Sequence, residues 1–378
     1  MKDVFIVADN ILSPLGSTTA ENFSQLTKNI SAIRQYDNAA ISPHPFYAAL
    51  FEKSKGIIDD VNKSPYTKFE KLLILSIQDA LRDSGINTRD KKTVLIVSST
   101  KGNINLLETE KYDPELSKRI ALHRSARIVA DHFHFINRPL MVSNACISGL
   151  LAVLTGMRLI RSGLYEHAVV SGADVISKFV LSGFQSFMAI SSRPCRPFDT
   201  DRDGISLGEG AGTIILSSSR EYAKGIRISG GATGNDANHI SGPSRTGTEL
   251  SGVIKRAMQE AGVQASGIDL ISAHGTATIF NDEMEANAIT LAGLQHVPVN
   301  SLKGYYGHTL GAAGLIESIV TLQSMKADLV LPTMGFLQSG VTAPINICAS
   351  VQNIYLRHSL KTASGFGGCN AAAVFSKP

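Results

Sequence analysis

The sequence has few of the features that mark disulfide-rich or metal-binding proteins. It contains only four cysteines, and no two of them have the CxxC spacing typical of zinc or redox sites. We therefore expect neither a disulfide framework nor a metal site. This cysteine usage fits a reducing cytosol, so the predicted location is cytoplasmic. The four positions are Cys146, Cys195, Cys348 and Cys369.

Long apolar runs are also scarce. The most apolar stretch, residues 147–160, is interrupted by Ser148, Thr155 and Arg158. At about 14 residues it is too short to span a bilayer, and it predicts a buried helix instead. The N-terminal residues carry only a short apolar run, without the long apolar region and cleavage site of a signal peptide, and they predict a strand and a turn.

Charge of one sign is not concentrated anywhere in the sequence. The chain has 36 Lys and Arg against 32 Asp and Glu, a net charge of +4. Because the basic residues are scattered rather than clustered, the sequence does not indicate nucleic-acid binding. The mild basic excess would suit a small acidic partner that meets one basic patch.

What the sequence does contain is a weak internal duplication. In each half, a helix-periodic segment ends at a glycine, and a short turn leads into an apolar strand. An apolar helix rich in small residues and a further apolar strand follow. In the first half the segments are residues 72–82, 94–98, 147–160 and 167–171. In the second half they are residues 250–259, 269–273, 308–325 and 329–331.

The two small-residue helices are apolar nearly all round, which is typical of helices buried on every side. Such helices need a layer on both sides of them. We therefore predict a five-layer α/β/α/β/α sandwich built from two similar halves, residues 1–217 and 218–378. The alternative is a single α/β sheet in which the similarity of the halves is accidental.

Cys146 stands where an apolar strand turns directly into the first buried helix. A cysteine at a helix N-terminus faces unpaired backbone N–H groups and the positive end of the helix dipole, and both lower the thiol pKa. The position therefore predicts a nucleophile. The alternative is a structural cysteine that packs as a small hydrophobe.

Two histidines occupy matching places in the second half. His274 follows the second buried strand, and His308 stands at the start of the second buried helix, where it is equivalent to Cys146 in the duplication. Pseudo-two-fold symmetry would bring these helix ends together, with His274 beside them. A helix N-terminus lowers a histidine pKa, so a neutral imidazole is expected at His308.

Five ordered motifs around these residues resemble those of the β-ketoacyl-(acyl carrier protein) synthases of the elongating Cys-His-His type, within the thiolase-fold superfamily. The resemblance covers nearly the whole chain. The motifs are SNACISG at residues 143–149, CRPFDTDRDGISLGEGAG at 195–212, AHGTATIFNDEMEA at 273–286, SLKGYYGHTLGAAGLIE at 301–317 and GFGGCN at 365–370.

This resemblance implies a cofactor-independent decarboxylative condensation. An acyl group would pass from an acyl carrier protein to Cys146, and malonyl-carrier would then lose carbon dioxide and attack the thioester. His274 and His308 would donate hydrogen bonds to the malonyl thioester oxygen, and having two histidines favours elongation over priming. The backbone N–H groups of Cys146 and Phe366 would form a second oxyanion hole. Gly365 and Gly367 would shape its loop.

The same resemblance implies roles for charged residues near the site. Lys303 and Glu317 are expected to form a buried ion pair close to the histidines, although a solvated pair is the alternative. Asp282 and Glu285 are expected to support the site through backbone hydrogen bonds.

One departure from the family pattern concerns the acyl pocket. The family commonly has Asn-Ser-Phe before the glycine-rich loop, where this chain has Thr362, Ala363 and Ser364. A small side chain at Ser364 thus takes the position of the phenylalanine that gates the pocket. Fatty-acid synthesis and a specialised polyketide or aryl-polyene-type pathway are both open, and the departures point toward the latter.

The implied partners are an acyl carrier protein and acyl and malonyl thioesters, within a homodimer or a heterodimer with a related subunit. Basic residues expected near the docking site are Lys63, Lys68, Lys71 and Arg202. Two other functions stay open. One is a thiolase-like acyltransferase without decarboxylation, for which Cys369 would be the second cysteine. The other is a partner subunit that sets chain length.

Overall fold

The computed structural model describes residues 2–52 and 65–378, in which strands and helices alternate. The elements of the first half are β1 (Phe5–Leu12), α1 (Thr19–Thr27), β2 (Arg34–Tyr36), β3 (Phe46–Ala49), α2 (Lys68–Leu81), β4 (Thr93–Ser98), α3 (Leu106–Thr109), α4 (Pro114–Ile120), α5 (Leu122–His132), β5 (Leu140–Val142), α6 (Ser148–Arg161), β6 (His167–Asp174), α7 (Lys178–Ser186), β7 (Leu207–Gly208) and β8 (Gly210–Ser217).

The second half repeats this alternation. Its elements are β9 (Arg227–Asn235), α8 (Thr248–Ala261), β10 (Leu270–Ser272), α9 (Ile279–Leu291), β11 (Val299–Asn300), α10 (Lys303–Tyr306), α11 (Ala313–Ala327), β12 (Leu329–Val330), β13 (Gln352–Asn353), β14 (His358–Gly365) and β15 (Cys369–Ser376).

The main sheet consists of two five-stranded halves with the same strand order. One half runs β1-β8-β6-β4-β5 and the other runs β9-β15-β14-β10-β11. In each half the second strand is antiparallel to both of its neighbours, and the last three strands are parallel. The halves join where β1 meets β9 at a single pair, Phe5 and Arg227. The strand pairing therefore repeats along the chain as the sequence does.

The helices complete five layers in the described part of the chain. Helices α6 and α11 pack against each other, with strands of the first half on one side and strands of the second half on the other. Helices α2 and α5 cover the first half, and α8 and α9 cover the second. The predicted α/β/α/β/α architecture is thus confirmed. We propose a division between residues 217 and 218, supported by the repeated strand order.

Glycine lets the two central helices approach closely. A Cβ atom added to Gly149 would lie 2.7 Å from the backbone nitrogen of Leu315 and 2.9 Å from the carbonyl oxygen of Gly311. One added to Gly314 would lie 2.9 Å from the backbone nitrogen of Leu150. Such distances exclude side chains at this crossing, so the glycines bring the N-terminal ends of α6 and α11 together.

One equivalence predicted from the sequence is wrong. The apolar segment at residues 329–331 contributes β12, which pairs with β13 in a separate two-stranded sheet. Strand β14, paired in parallel with β10, takes the place that β6 has beside β4 in the first half. Alternation and apolarity identify a strand, but they do not say which neighbour it pairs with.

No helix among the described residues is both long enough and apolar enough to cross a membrane.

Candidate active site

Cys146 follows β5 on a tight turn that leads into α6. The preceding residue, Ala145, has a φ of 43°, which is unusual for a residue with a side chain. The hydroxyl of Ser148 accepts a hydrogen bond from the backbone nitrogen of Asn144 at 2.8 Å and donates one to the Ala145 carbonyl at 2.6 Å. These bonds hold Cys146 at the start of α6, where 8% of the residue is exposed.

His274 directly extends the line of strand β10 toward the same region. Its backbone nitrogen donates to Glu285 at 2.8 Å, and its carbonyl oxygen accepts a hydrogen bond from the Lys303 ammonium at 2.9 Å. The residue is 1% exposed. Charged groups therefore fix the backbone on both sides of this side chain.

His308 precedes α11 by a short 3₁₀ turn, and its backbone is fixed from the neighbouring segment. Its nitrogen donates to the Ser206 carbonyl at 2.7 Å, and its own carbonyl accepts from the nitrogen of Gly208 at 3.0 Å. Its ring meets Phe184 edge-on, with 6.5 Å between the ring centroids. His308 thus stands opposite Cys146 at the paired ends of the central helices.

The structure brings the three side chains together. The sulfur of Cys146 and a ring nitrogen from each of His274 and His308 lie within 4.8 Å of one another. They line a pocket of about 480 Å³. Within residues 2–52 and 65–378, Nδ1 of His274 and both ring nitrogens of His308 find no hydrogen-bond partner. Buried polar atoms of this kind are normally satisfied, so these nitrogens are suited to meet a substrate.

The same three atoms are close enough together for a metal ion to bridge them. The same atoms line the pocket, where a reacting thioester can meet them. The expectation of no metal site stays a prediction.

Burial governs the protonation of all three groups. Burial, with a smaller contribution from the nearby Cys369, raises the pKa of Cys146 to about 12. The expectation of a lowered thiol pKa is thus wrong, because burial outweighs the end of the helix. Burial lowers the pKa of His274 and His308 well below the ordinary value, with Lys303 adding to the effect at both. The neutral imidazole predicted at His308 is confirmed, with burial as its main cause.

A buried network of charges lies behind the histidines. Lys303 and Glu317 form an ion pair, as the motif led us to expect. A second lysine, Lys361 on β14, lies 2.8 Å from the other Glu317 oxygen. No sequence motif points to Lys361, although a lysine inside a strand of buried residues is itself an unusual signal.

Two acidic side chains on α9 support the segment that carries His274. Glu285 accepts hydrogen bonds from the backbone nitrogens of His274 and Gly275, at 2.8 and 2.7 Å. Asp282 accepts from the backbone nitrogen of Phe198 at 2.7 Å, and burial raises its pKa to about 7. Both carboxyl groups therefore act on backbone groups, and neither lines the pocket.

Asp174 is a buried acid that the motifs did not reveal. Its carboxylate accepts hydrogen bonds from the Ser99 hydroxyl at 2.6 Å and from the backbone nitrogen of Gly311 at 2.6 Å. It thereby ties the end of β6 to the turn that follows His308. The available signal was an acidic residue at the end of an apolar strand, which is costly to bury without partners.

The glycine-rich loop between β14 and β15 lies directly against the nucleophile. A Cβ atom at Gly365 would lie 2.9 Å from the backbone nitrogen of Cys146. Gly367 and Gly368 have φ values of 83° and 75°, which favour glycine. Gly367 also donates to the Ile240 carbonyl at 2.7 Å. The loop can thus approach Cys146 closely only because it lacks side chains there.

Aromatic cover over the pocket comes from Phe366. Its ring stacks on Phe184 with 5.7 Å between centroids and meets Phe187 at 5.3 Å. Ser364 lines the pocket, and its hydroxyl donates to the Asn370 side chain at 2.7 Å. The small side chain at the predicted gate position is therefore part of the wall, while Phe366 covers the cavity.

The predicted docking residues have different environments. Lys63 lies outside the described residues. The Arg202 side chain is 4% exposed and donates to the carbonyls of Asp199 and Gly340, so the prediction of docking there is wrong. The Lys68 ammonium lies 2.7 and 2.6 Å from the two oxygens of Glu209. Lys71 is half-buried on α2.

Comparison with known proteins agrees with this geometry. Residues 1–221 match the N-terminal domain model of beta-ketoacyl synthases, and residues 226–337 match the C-terminal domain model. A curated relative is 3-oxoacyl-[acyl-carrier-protein] synthase 2 of Staphylococcus aureus strain COL. It is 27% identical, and the alignment covers 100% of this chain and 98% of the relative.

Solved structures share the fold over the whole chain. The ishigamide ketosynthase/chain length factor superposes with a TM-score of 0.88 at 25% identity, covering 100% of this chain and 99% of the other. A beta-ketoacyl synthase from Burkholderia phymatum STM815 gives 0.87 at 24%, covering 100% of both. A type II polyketide ketosynthase in complex with its acyl-carrier protein gives 0.88 at 22%, again over 100% of both.

A thiol and a neutral imidazole at the paired ends of two central helices, with a second neutral imidazole beyond strand β10, form the site of a carbon–carbon condensing acyltransferase. With both of its domain models matched, the chain belongs to the beta-ketoacyl synthase family.

Proposed function

We propose that this chain is a β-ketoacyl-(acyl carrier protein) synthase that condenses malonyl-carrier with an acyl group held on Cys146. The observation that carries the proposal is the cluster itself. A buried thiol lies within 4.8 Å of a ring nitrogen from each of two buried imidazoles, both imidazoles have ring nitrogens without a hydrogen-bond partner among the described residues, and all three side chains line one pocket.

The first half-reaction would load the enzyme. The Cys146 thiol gives its proton to a neutral imidazole as its sulfur attacks the acyl thioester, because the thiol does not ionise by itself near pH 7. The new carbon–sulfur bond forms on Cys146, the old one breaks, and the proton leaves with the carrier thiol. The backbone nitrogens of Cys146 and Phe366 would stabilise the oxyanion of this step.

The second half-reaction would build the carbon–carbon bond. The bond to the malonyl carboxylate breaks, carbon dioxide leaves, and the electron pair forms an enolate. N–H groups of His274 and His308 would donate to the enolate oxygen, where charge develops. The enolate carbon then attacks the Cys146 thioester, and the bond between the acyl carbon and the Cys146 sulfur breaks. The sulfur takes up a proton from solvent, which regenerates the thiol, while the 3-oxoacyl product stays on the carrier.

The pocket wall supports a proposal about the substrate class. Ser364 leaves space where the family pattern carries phenylalanine, so we propose a specialised polyketide or aryl-polyene-type substrate rather than an ordinary saturated chain. Comparing elongation rates on saturated and polyunsaturated acyl-carrier substrates tests this choice. Equal or faster elongation of saturated chains would contradict the proposal of a specialised substrate and would favour fatty-acid synthesis.

We also propose an acyl carrier protein and a second subunit, identical or related, as partners. The edge strand β5 supports dimer formation, since it ends the main sheet with Leu140 exposed and leads directly to Cys146. Among solved relatives, one is a ketosynthase with its acyl-carrier protein and another a ketosynthase/chain length factor. The predicted cytoplasmic location stays a prediction.

Two alternatives are less well supported. A thiolase-like transferase would need a second reacting cysteine, but the Cys369 sulfur faces the carbonyl of Phe366 at 3.5 Å and that of Asn144 at 3.7 Å. A chain-length-setting subunit would not need a nucleophile, whereas Cys146 and both histidines are assembled here.

Intact-mass analysis with acyl- and malonyl-carrier substrates tests the proposal. We expect an acyl adduct on Cys146 and release of carbon dioxide, with adduct formation lost in Cys146→Ala. Cys369→Ala is the matched control and should keep both. An adduct without carbon dioxide release would favour the thiolase-like transferase, and the lack of any adduct would favour the chain-length subunit.

A further inference from the structure

Lys361 is fully buried in the middle of β14, one of the most buried strands of the sheet. Burying an ammonium group costs free energy, and replacing buried ion pairs by apolar residues is often neutral or stabilising. Folding alone therefore gives no reason for a lysine at this position. Its contacts must be considered together with the site that they adjoin.

The ammonium group of Lys361 holds the backbone that leads to His274. It donates to the carbonyl oxygens of Ser272 at 3.0 Å and Ala273 at 3.1 Å, and Lys303 donates to the next carbonyl, that of His274. Three successive carbonyls are thus held by two ammonium groups. Charge-assisted hydrogen bonds of this kind are about twice as strong as neutral ones.

The opposite edge of this segment is held by a carboxylate. Glu285 accepts hydrogen bonds from the backbone nitrogens of His274 and Gly275. The hydroxyl of Thr362, the residue after Lys361, also donates to Glu285, at 2.6 Å. Consecutive residues of β14 thereby fix both edges of the segment that carries the histidine.

Lys361 also changes the balance of charge behind the histidines. Glu317 is shared by two ammonium groups, those of Lys303 and Lys361, and the carboxyl group of Glu285 also acts on Lys361, so removing Lys361 takes one positive charge from this cluster. These charges lie in a dry environment, where electrostatic effects are large. Lys303 and Lys361 both disfavour the imidazolium forms of His274 and His308.

We propose that Lys361 is a positioning residue for the decarboxylation step, which fixes the backbone of His274 and supplies positive charge behind the pair of histidines. This inference rests on the proposed function. The charge would favour the enolate, whose oxygen lies at the histidines. This charge would matter less for acylation of Cys146, because the oxyanion of that step lies at the backbone nitrogens of Cys146 and Phe366.

Lys361→Met tests the proposal, because methionine has a similar length and no charge. With malonyl-CoA as the probe, we expect the rate of carbon dioxide release to fall about tenfold or more. Removing a group that donates directly to an oxyanion lowers a rate ~100-fold or more, and Lys361 acts on the oxyanion only through His274, so its effect should be smaller. Acylation of Cys146 by an acyl thioester should stay within about twofold of the wild-type rate.

The pH profile gives a second readout that a purely structural role would not move. The groups facing the two imidazoles are Cys146, Lys303, Lys361, Glu285 and Glu317, together with each other. Removing a positive charge makes protonation of a histidine easier. The acid limb of malonyl decarboxylation should therefore move to higher pH in Lys361→Met.

A double variant separates charge from general damage. Lys361→Met with Glu317→Gln removes one positive and one negative charge together, so the cluster regains the net charge that it has in the wild-type protein. We expect the acid limb to return toward its wild-type position, although the rate stays low because the Ser272 and Ala273 carbonyls remain unheld. Lys326→Met, at a lysine whose side chain is 53% exposed, is the matched control and should change neither readout.

The outcomes distinguish the two levels of inference. If the wild-type protein releases no carbon dioxide, the proposed function is wrong. An active wild-type protein with an unchanged rate and pH profile in folded Lys361→Met overturns the role of Lys361 alone. So does an equal loss of both half-reactions, or an acid limb that stays shifted in the double variant. Circular dichroism and thermal melting establish that each variant is folded.

Discussion

Three neighbouring side chains set the chemistry of the pocket, and burial keeps all three uncharged in the free protein. Cys146 is a thiol with a raised pKa, and His274 and His308 are neutral imidazoles with lowered ones. A neutral imidazole retains one donor nitrogen and one acceptor nitrogen. The site can therefore move the thiol proton during loading and still donate to an enolate afterwards.

The raised thiol pKa predicts slow alkylation of Cys146 by iodoacetamide at pH 7. The reactive species is the thiolate, so the rate should rise with pH from 7 to 10 without reaching a plateau. Mass spectrometry of the modified peptide measures this rate, and His308→Ala keeps the same cysteine as a control for imidazole assistance. A plateau near pH 7 would contradict the prediction and would indicate a thiolate formed at the helix end.

At the scale of elements, the sequence pattern predicted most of what positions the site. The predicted helix at residues 250–259 lies within α8, the strand at 94–98 lies within β4, and the helix at 72–82 lies on α2 except for its last residue. Period and apolarity are local properties, so they identify such elements. The partner of a strand depends on contacts distant in sequence, which is why β14, rather than β12, occupies the place equivalent to β6.

The same reasoning explains which site residues the sequence revealed. Cys146, His274 and His308 stand in recognisable motifs at element ends. Lys361 stands in the interior of a strand, and only the folded sheet shows that its ammonium group reaches Glu317. Conversely, Arg202 belongs to a motif rich in charge, yet tertiary contacts with Asp199 and Gly340 bury it.

The crossing of α6 and α11 predicts a strong dependence on Gly149. An added methyl group would lie 2.7 Å from the Leu315 nitrogen, so Gly149→Ala should destabilise the protein by about 1–3 kcal/mol. It should also reduce condensation, because it separates the helix ends that carry Cys146 and His308. Urea unfolding and the rate of carbon dioxide release measure the two effects.

Gly252 on α8 provides the matched control for this substitution. The nearest atom to an added Cβ there is an Arg256 guanidinium nitrogen at 3.4 Å, which can move. Gly252→Ala should therefore stabilise the protein by about 0.5–1 kcal/mol through helix propensity. If both variants lose the same stability, close approach of the central helices is not the cause.

At the scale of the whole molecule, the duplication places the N-terminal ends of α6 and α11 at one central pocket. The carboxyl groups of Asp282 and Glu285, which support the site, are buried behind this pocket. This arrangement has a cost in stability that depends on pH. Asp282 is 0% exposed, and burial raises its pKa to about 7 from an ordinary value near 3.8. The charge of Glu285 contributes to this raised pKa, and the Phe198 backbone and Arg202 oppose it.

The raised Asp282 pKa predicts that stability falls as pH rises from about 4 to about 7. Over this range the folded carboxyl group stays protonated while the unfolded one ionises, so the folded state binds more protons and the free energy of unfolding decreases with pH. Below pH 4 both states are protonated, and above pH 7 both are ionised, so this contribution is then constant.

Asp282→Asn should remove this pH dependence, because the amide oxygen can still accept from Phe198 but does not ionise. Urea unfolding at several pH values should therefore show the Asn variant gaining stability relative to the wild type between pH 4 and 7. A constant difference between the two proteins across that range would mean that Asp282 ionises normally in the fold.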